Sequence, residues 1–225
     1  MFMGAIVDTG KVVDINQKAR LKSPPPRLKR KYDYAIAEHF LRVVEMIDIL
    51  METKKFDLLI LGASPDVKDE LMLYLPFRLR QKMAGTIDAR PTDKIETILD
   101  RARKVEQEYE REEERKIVEE LKERLKEGKL AVAGLKDTLD ALMHNQVQTL
   151  IVEEGYEVEG VRCPKCGFLG TEEETCPACG AKTVKVPDIV DDAIEETIEQ
   201  GAGVEHVIDK SLLESVGHIG ALLRF

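Results

Sequence analysis

The apolar positions Ile36, Phe40, Val43, Ile47 and Leu50 step along the chain by four, three, four and three residues, the period of one face of an amphipathic helix. Asp33 just before them reads as its N-cap. Upstream, residues 4–15 predict two short strands around an Asp8-Thr9-Gly10-Lys11 turn. Downstream, Phe56-Asp-Leu-Leu-Ile-Leu61 is a nearly continuous apolar run, which suits a buried strand. A helix over Val67 to Leu75 is broken by Pro76, and a short helix over Phe77 to Met83 precedes a strand at Gly85 to Ala89. After Pro91, Thr92 can cap a long helix through Ile95, Ile98, Leu99, Ala102, Val105 and Tyr109, whose pattern resumes at Ile117, Val118, Leu121 and Leu125 and stops at Gly128. Leu135, Leu139 and Leu142 line another helix, Val147 to Val152 form a strand, and Ile189 to Ile198 form a helix ended by Gly201. Val204 to Ile208 and Ala221 to Phe225 close the chain as strands. Alternating helices and strands in both halves predict an α/β fold in two domains, 1–129 and 130–225.

The 225 residues suffice for two small cores. No apolar run approaches the roughly 18 residues of a membrane span, and Met1 to Gly10 lacks the pattern of a signal peptide. The expected location is the cytoplasm, where disulfides are rare. Net charge is −9, yet the seven cations Lys18, Arg20, Lys22, Arg27, Lys29, Arg30 and Lys31 fall between Ile15 and Tyr32 with no acid among them. The remainder carries 27 cations against 43 acids. Such a patch on an acidic body can meet phosphate; the alternative is a solvated surface loop. Pro24-Pro25-Pro26 excludes helix there and predicts a stiff, extended loop. The Glu, Lys and Arg run between Glu106 and Glu127 reads instead as a solvated helix face.

Cys163-Pro-Lys-Cys166-Gly and Cys176-Pro-Ala-Cys179-Gly repeat one knuckle. Two intervening residues let both thiolates face one ion, and the following glycine permits the tight turn. Two knuckles give the four soft ligands of a closed tetrahedral zinc site, with no position open for a reacting water. The predicted metal is therefore one structural Zn2+, in a ribbon over 161–182. A pair of redox dithiols is the competing reading; duplication of the knuckle argues against it.

The order of these features resembles the archaeal and eukaryotic class of peptide-chain release factors with their relative Pelota, and especially the release-factor-like proteins of that superfamily. The resemblance rests on the opening strand pair, the basic loop and Phe56-Asp-Leu-Leu-Ile-Leu-Gly62 in the first half. In the second half it rests on Gly134-Leu-Lys-Asp-Thr-Leu139, Val147-Gln-Thr-Leu-Ile-Val152, the knuckles and Gly217-His-Ile-Gly-Ala-Leu-Leu-Arg-Phe225. It implies a ribonuclease-H-like central domain over 1–129 and an L7Ae/L30e-like domain over 130–225 with the ribbon inserted. It also implies a ribosome or tRNA as partner, with a translational GTPase as a further one.

Two departures matter. True release factors carry Gly-Gly-Gln in the loop before the central helix, where the glutamine positions water at the peptidyl-tRNA ester. Here that stretch is Lys18 to Lys31, with three prolines and no such triplet. The N-terminal decoding domain is also missing from the sequence. The resulting expectation is a ribosome-associated factor acting in rescue, stalling or hibernation without that release chemistry, its seven cations contacting RNA. Two alternatives stay open: a hydrolase of peptidyl-tRNA or RNA, and a module that binds a GTPase. Asp8-Thr9-Gly10 copies the aspartic protease triplet, but a turn explains it equally well. Asp8, Asp14 and Asp57 invite a two-metal nuclease reading that the resemblance does not support. His39, His144, His206 and His218 show no ligand spacing and read as structural.

Overall fold

The structure, a computed structural model, describes residues 4–7, 11–14, 29–90 and 92–225. It divides into two compact units, residues 1–110 and 111–225. The division falls inside one long helix.

The first unit contains β1 (Gly4–Val7), β2 (Lys11–Asp14), α1 (Lys29–Lys54), β3 (Leu59–Ala63), α2 (Pro65–Tyr74), α3 (Phe77–Arg80), β4 (Met83–Asp88) and the first half of α4 (Ile95–Lys126). Its sheet has the order β2-β1-β3-β4. Strand β1 runs antiparallel to both of its neighbours, while β3 and β4 are parallel. All five residues of β3 are buried, as its apolar run requires. Alternate residues serve opposite faces: Leu59, Leu61 and Ala63 join Phe40, Val43 and Ile47 of α1, whereas Ile60 joins Ile87, Ile98 and Ala102. Helix α2 starts on Pro65, whose missing N–H costs nothing at that position. Gly85 allows α4 to lie on β4, because a Cβ there would come within 2.6 Å of Val105 Cγ1.

Helix α1 begins at Lys29, so Asp33 lies inside it and is not its cap. The last proline, Pro26, is upstream, and Lys and Arg are good helix formers, so nothing delays the start to Asp33.

The second unit contains the rest of α4, then β5 (Ala131–Ala133), α5 (Leu135–Met143), β6 (Val147–Glu153), β7 (Gly160–Arg162), β8 (Leu169–Gly170), β9 (Val184–Val186), α6 (Ile189–Glu199), β10 (Gly203–Val207) and β11 (Ile219–Leu223). Two 3-10 turns, Lys210–Leu212 and Glu214–Val216, precede β11. The main sheet has the order β10-β6-β11-β5, and a smaller one the order β8-β7-β9. Strand β10 runs parallel to β6, and β11 antiparallel to both β6 and β5.

Helices cover both faces of the main sheet. Leu150 and Val152 of β6, with Ile219 and Ala221 of β11, pack with Leu139 and Leu142 of α5 and Ile189 and Ala193 of α6. On the other face, Ile151 and Leu222 pack with Val118 and Leu121 of α4 and with Val207 and Leu213. Gly220 is needed here: a Cβ would stand 2.9 Å from the Val132 carbonyl oxygen and 3.0 Å from Leu121 Cδ2. Because Val118 and Leu121 belong to this core, the second unit starts at residue 111 and not at the expected 130. No helix among the described residues is long and apolar enough to cross a membrane.

Candidate metal centre and the Glu153–His218 corner

The small sheet brings the four cysteines together. Strand β7 delivers Cys163, the turn before β8 holds Cys166, and a bridge between Thr175 and Lys182 closes the second knuckle around Cys176 and Cys179. The two knuckles match in their backbone bonds. The N–H of Gly167 reaches Cys163 O and that of Gly180 reaches Cys176 O, each at 2.9 Å. Cys163 N–H in turn donates to Phe168 O and Cys176 N–H to Ala181 O, each at 2.8 Å. Gly167 and Gly180 take the positive φ of 78° and 70° that these turns demand.

All four Sγ atoms lie within 4.8 Å of one another, and the Cys163–Cys179 and Cys166–Cys176 pairs are each 3.5 Å apart. A tetrahedral ion with metal–sulfur bonds of ~2.3 Å spaces its sulfurs by ~3.8 Å, so the cluster fits one ion. A disulfide would need ~2.05 Å, and all four thiols are free. Burial opposes ionisation of Cys163, but the backbone N–H groups of Cys166 and Lys165 point at its sulfur and hold its pKa down to about 6. Cys166 accepts the N–H of Phe168, yet Cys176 beside it and desolvation push it up to about 12. Four thiolates can share this space only around a cation. Among the described residues, no other group of three or more His, Cys, Asp or Glu side chains converges in this way.

The knuckles are tied to the second unit. Leu169 is buried in the core beside α5 and α6, and its N–H meets Met143 Sδ at 3.4 Å. Arg162 pairs with Asp192 of α6 at 2.7 Å, and Thr183 Oγ1 donates to the Glu173 carbonyl.

A second polar cluster forms where β6 and β11 pair, Val152 lying opposite Ile219. Glu153 Oε2 accepts from His218 Nδ1 at 2.6 Å, and Lys210 Nζ stands 3.4 Å from Glu153 Oε1. The His218 ring stacks on Tyr156 with centroids 5.3 Å apart. The hydrogen bond from His218, reinforced by Lys210, holds the buried Glu153 carboxyl below the usual range. Burial, with the Glu153 charge adding to it, raises the Tyr156 hydroxyl. Gly217 (φ 80°) and Gly134 (φ 82°) come together nearby: a Cβ on Gly217 would sit 3.3 Å from Gly134 Cα, and Gly134 N–H donates to Ile219 O at 2.8 Å. The two sequence motifs at 134–139 and 217–225 are thus one site. What the corner can do is fix an imidazole by its Nδ1 and leave the other edge of the half-exposed ring available. Spacing gave no sign of this cluster, since its members stand 65 residues apart and meet only through strand register.

The other expected residues are placed as follows. Lys18, Arg20, Lys22 and Arg27 lie outside the described residues, as does Asp8-Thr9-Gly10. Lys29, Arg30 and Lys31 lie in the first turn of α1 and not in a loop, for the reason given above. Asp14 is in β2, and Asp57 is an exposed side chain paired with Lys82 at 3.1 Å. His39 is buried in α1 and its pKa is lowered, first by burial and then by Arg42. His144 Nδ1 lies 2.7 Å from the Asp140 carbonyl, and His206 stands 3.5 Å from Glu154.

Comparison with known proteins places this architecture. Residues 111–225, the second compact unit, match the family described as eRF1 domain 3. The chain is 30% identical over 235 residues to peptide chain release factor subunit 1 of Methanocaldococcus jannaschii, covering 88% of this chain and 55% of that protein. It is 29% identical over 203 residues to the Pyrococcus abyssi protein of the same name, covering 78% of this chain and 49% of the relative. The chain thus spans about half the length of the curated relatives it matches. A structure of ribosome-bound archaeal Pelota and ABCE1 superposes with a TM-score of 0.58 at 14% identity, over 98% of this chain and 58% of that one, which shows a shared mixed α/β fold. The chain belongs to the family described as eRF1 domain 3.

Proposed function

We propose that this chain is a ribosome-associated translation factor of the release-factor type that binds ribosomal RNA or the acceptor end of a tRNA through Lys18, Arg20, Lys22, Arg27, Lys29, Arg30 and Lys31. The observation that carries the reading is residues 18–31, seven cations without an acid and without Gly-Gly-Gln, in a chain of this family. Cations bind phosphate strongly without reading sequence. Without the glutamine that places water at the ester, the chain acts by occupancy, in rescue, stalling or hibernation, and not by peptide release. Archaeal Pelota has been described bound to the ribosome, which supports the same address.

The four cysteines hold one structural Zn2+ in this reading, supported by the sulfur spacing and by the duplicated knuckle. Closed coordination by four thiolates leaves the ion no catalytic position. The second unit is read as an L7Ae/L30e-like domain with the knuckles inserted between β6 and α6, and a translational GTPase is its proposed protein partner. Supporting this, helices lie on both faces of its four-stranded mixed sheet. The first unit is read as ribonuclease-H-like on the strength of its hairpin, α1 and the parallel β3–β4 pair. Co-sedimentation with ribosomes at low salt tests the proposal: binding that weakens steeply with added salt supports it, and absence of binding at low salt overturns it.

A further inference from the structure

Strands β3 and β4 are parallel, and ligands of such sheets commonly sit beyond the carboxyl ends of the strands. Just past the end of β4 lies an open trough of about 580 Å³, walled by Arg90, Arg101 and Lys104 and floored by Ile87 and Val105. Its cations differ in how they are employed. Arg101 Nη1 donates to Asp93 Oδ2 at 2.8 Å and to the Asp88 carbonyl at 2.6 Å, so its guanidinium is fixed. Asp93 also accepts the Arg90 backbone N–H at 3.1 Å, and Asp88 stands 3.5 Å from Lys68. Both carboxylates of the trough are therefore engaged. The Arg90 and Lys104 side chains are exposed and make no side-chain hydrogen bond or close ion pair among the described residues, although the Arg90 charge helps to hold the Asp93 carboxyl low.

We propose that this trough binds a phosphodiester of RNA, with the exposed Arg90 and Lys104 as its two mobile cations and Arg101 as a fixed third. The inference rests on the RNA-binding reading above and adds a contact outside the segment 18–31. An open trough suits a passing backbone, whereas sites for small ligands bury most of the ligand surface. Arg90 offers a planar fork of donors and Lys104 a point charge, a pairing that recognises phosphate without reading bases.

The test is binding of the full chain to fluorescently labelled tRNA and to ribosomes across a range of salt. Wild type is compared with R90Q/K104Q, with the charge-preserving R90K/K104R, and with a chain in which the seven cations of 18–31 are changed to Gln. The R90Q/K104Q variant is expected to bind about tenfold more weakly at low salt, with the slope of log affinity against log salt reduced by about 0.7–0.9 for each lost contact. R90K/K104R should restore most of the affinity. Unchanged affinity and slope in R90Q/K104Q, while the seven-cation variant loses binding, would overturn this inference alone. Failure of wild type to bind either RNA would overturn it together with the function it rests on. Micromolar binding of inorganic phosphate that R90Q/K104Q abolishes, with RNA affinity unchanged, would assign the trough to a small phosphate ligand and overturn the inference too.

Discussion

His218 Nδ1 lies 2.6 Å from Glu153 Oε2, where Glu153 ends β6 and His218, just before β11, holds a φ of 68°. A non-glycine residue in that region costs on the order of 1–3 kcal/mol, so the surroundings must impose it. They do so through the Glu153 N–H, which donates to the His218 carbonyl at 3.0 Å, and through the stacked Tyr156 ring.

The ionised form of Glu153 is favoured in the folded chain, first by the His218 hydrogen bond and then by Lys210. A carboxyl whose pKa is lowered on folding binds fewer protons in the native state than in the unfolded one. Its stabilisation is present above the ordinary carboxylate pKa and fades as pH falls through the lower, folded value. Thermal melts from pH 7 to pH 3 should show wild type losing Tm steeply below about pH 4.5 and Glu153→Gln losing less. Parallel profiles would contradict the assignment.

The cysteine cluster should carry one zinc ion per chain, and chelation should release it with loss of order over residues 161–182. Zinc binding to small cysteine units is worth about 10–16 kcal/mol, so the knuckles should not hold without it. Metal analysis, thiol titration and hydrogen exchange provide the checks. Exchange protection within 161–182 that survives chelation, or two disulfides found by mass spectrometry, would contradict the site. Cys163→Ser should weaken retention of the ion and loosen Leu169, buried in the core beside it.

Leu121 is fully buried against Ile151, Leu222 and Val207, and Leu121→Ala should cost about 2–5 kcal/mol by leaving a cavity. Gly220→Ala should cost about 1–3 kcal/mol, because the added methyl meets the Val132 carbonyl and Leu121. The same packing should let a fragment of 111–225 fold cooperatively and leave one of 130–225 without Val118 and Leu121 of its second core. Denaturant unfolding of the two fragments distinguishes these outcomes.

Much of this was legible in the sequence, where a local pattern is enough. The 3.6-residue stripe from Ile36 to Leu50 and the apolar run at β3 encode their burial directly. The knuckles were legible because the sulfur ligands of each lie three residues apart. The start of α1 was not, since a plausible cap at Asp33 outweighed the helix-forming Lys29-Arg30-Lys31 run. The domain boundary was hidden because Gly128 marks the end of a helix, whereas the boundary depends on where Val118 and Leu121 are buried. The Glu153–His218 pair was hidden as well, since it depends on the β6–β11 register, which no spacing within either strand records.

Binding of the chain to purified ribosomes, measured against salt for wild type and for the variant with all seven cations of residues 18–31 changed to Gln, is the decisive measurement. Wild type should co-sediment at low salt with a steep salt dependence, and the variant should bind more weakly with a flatter slope while keeping its fold and its metal. Equal binding of the two chains, or no binding of wild type at low salt, would contradict the role given to that segment.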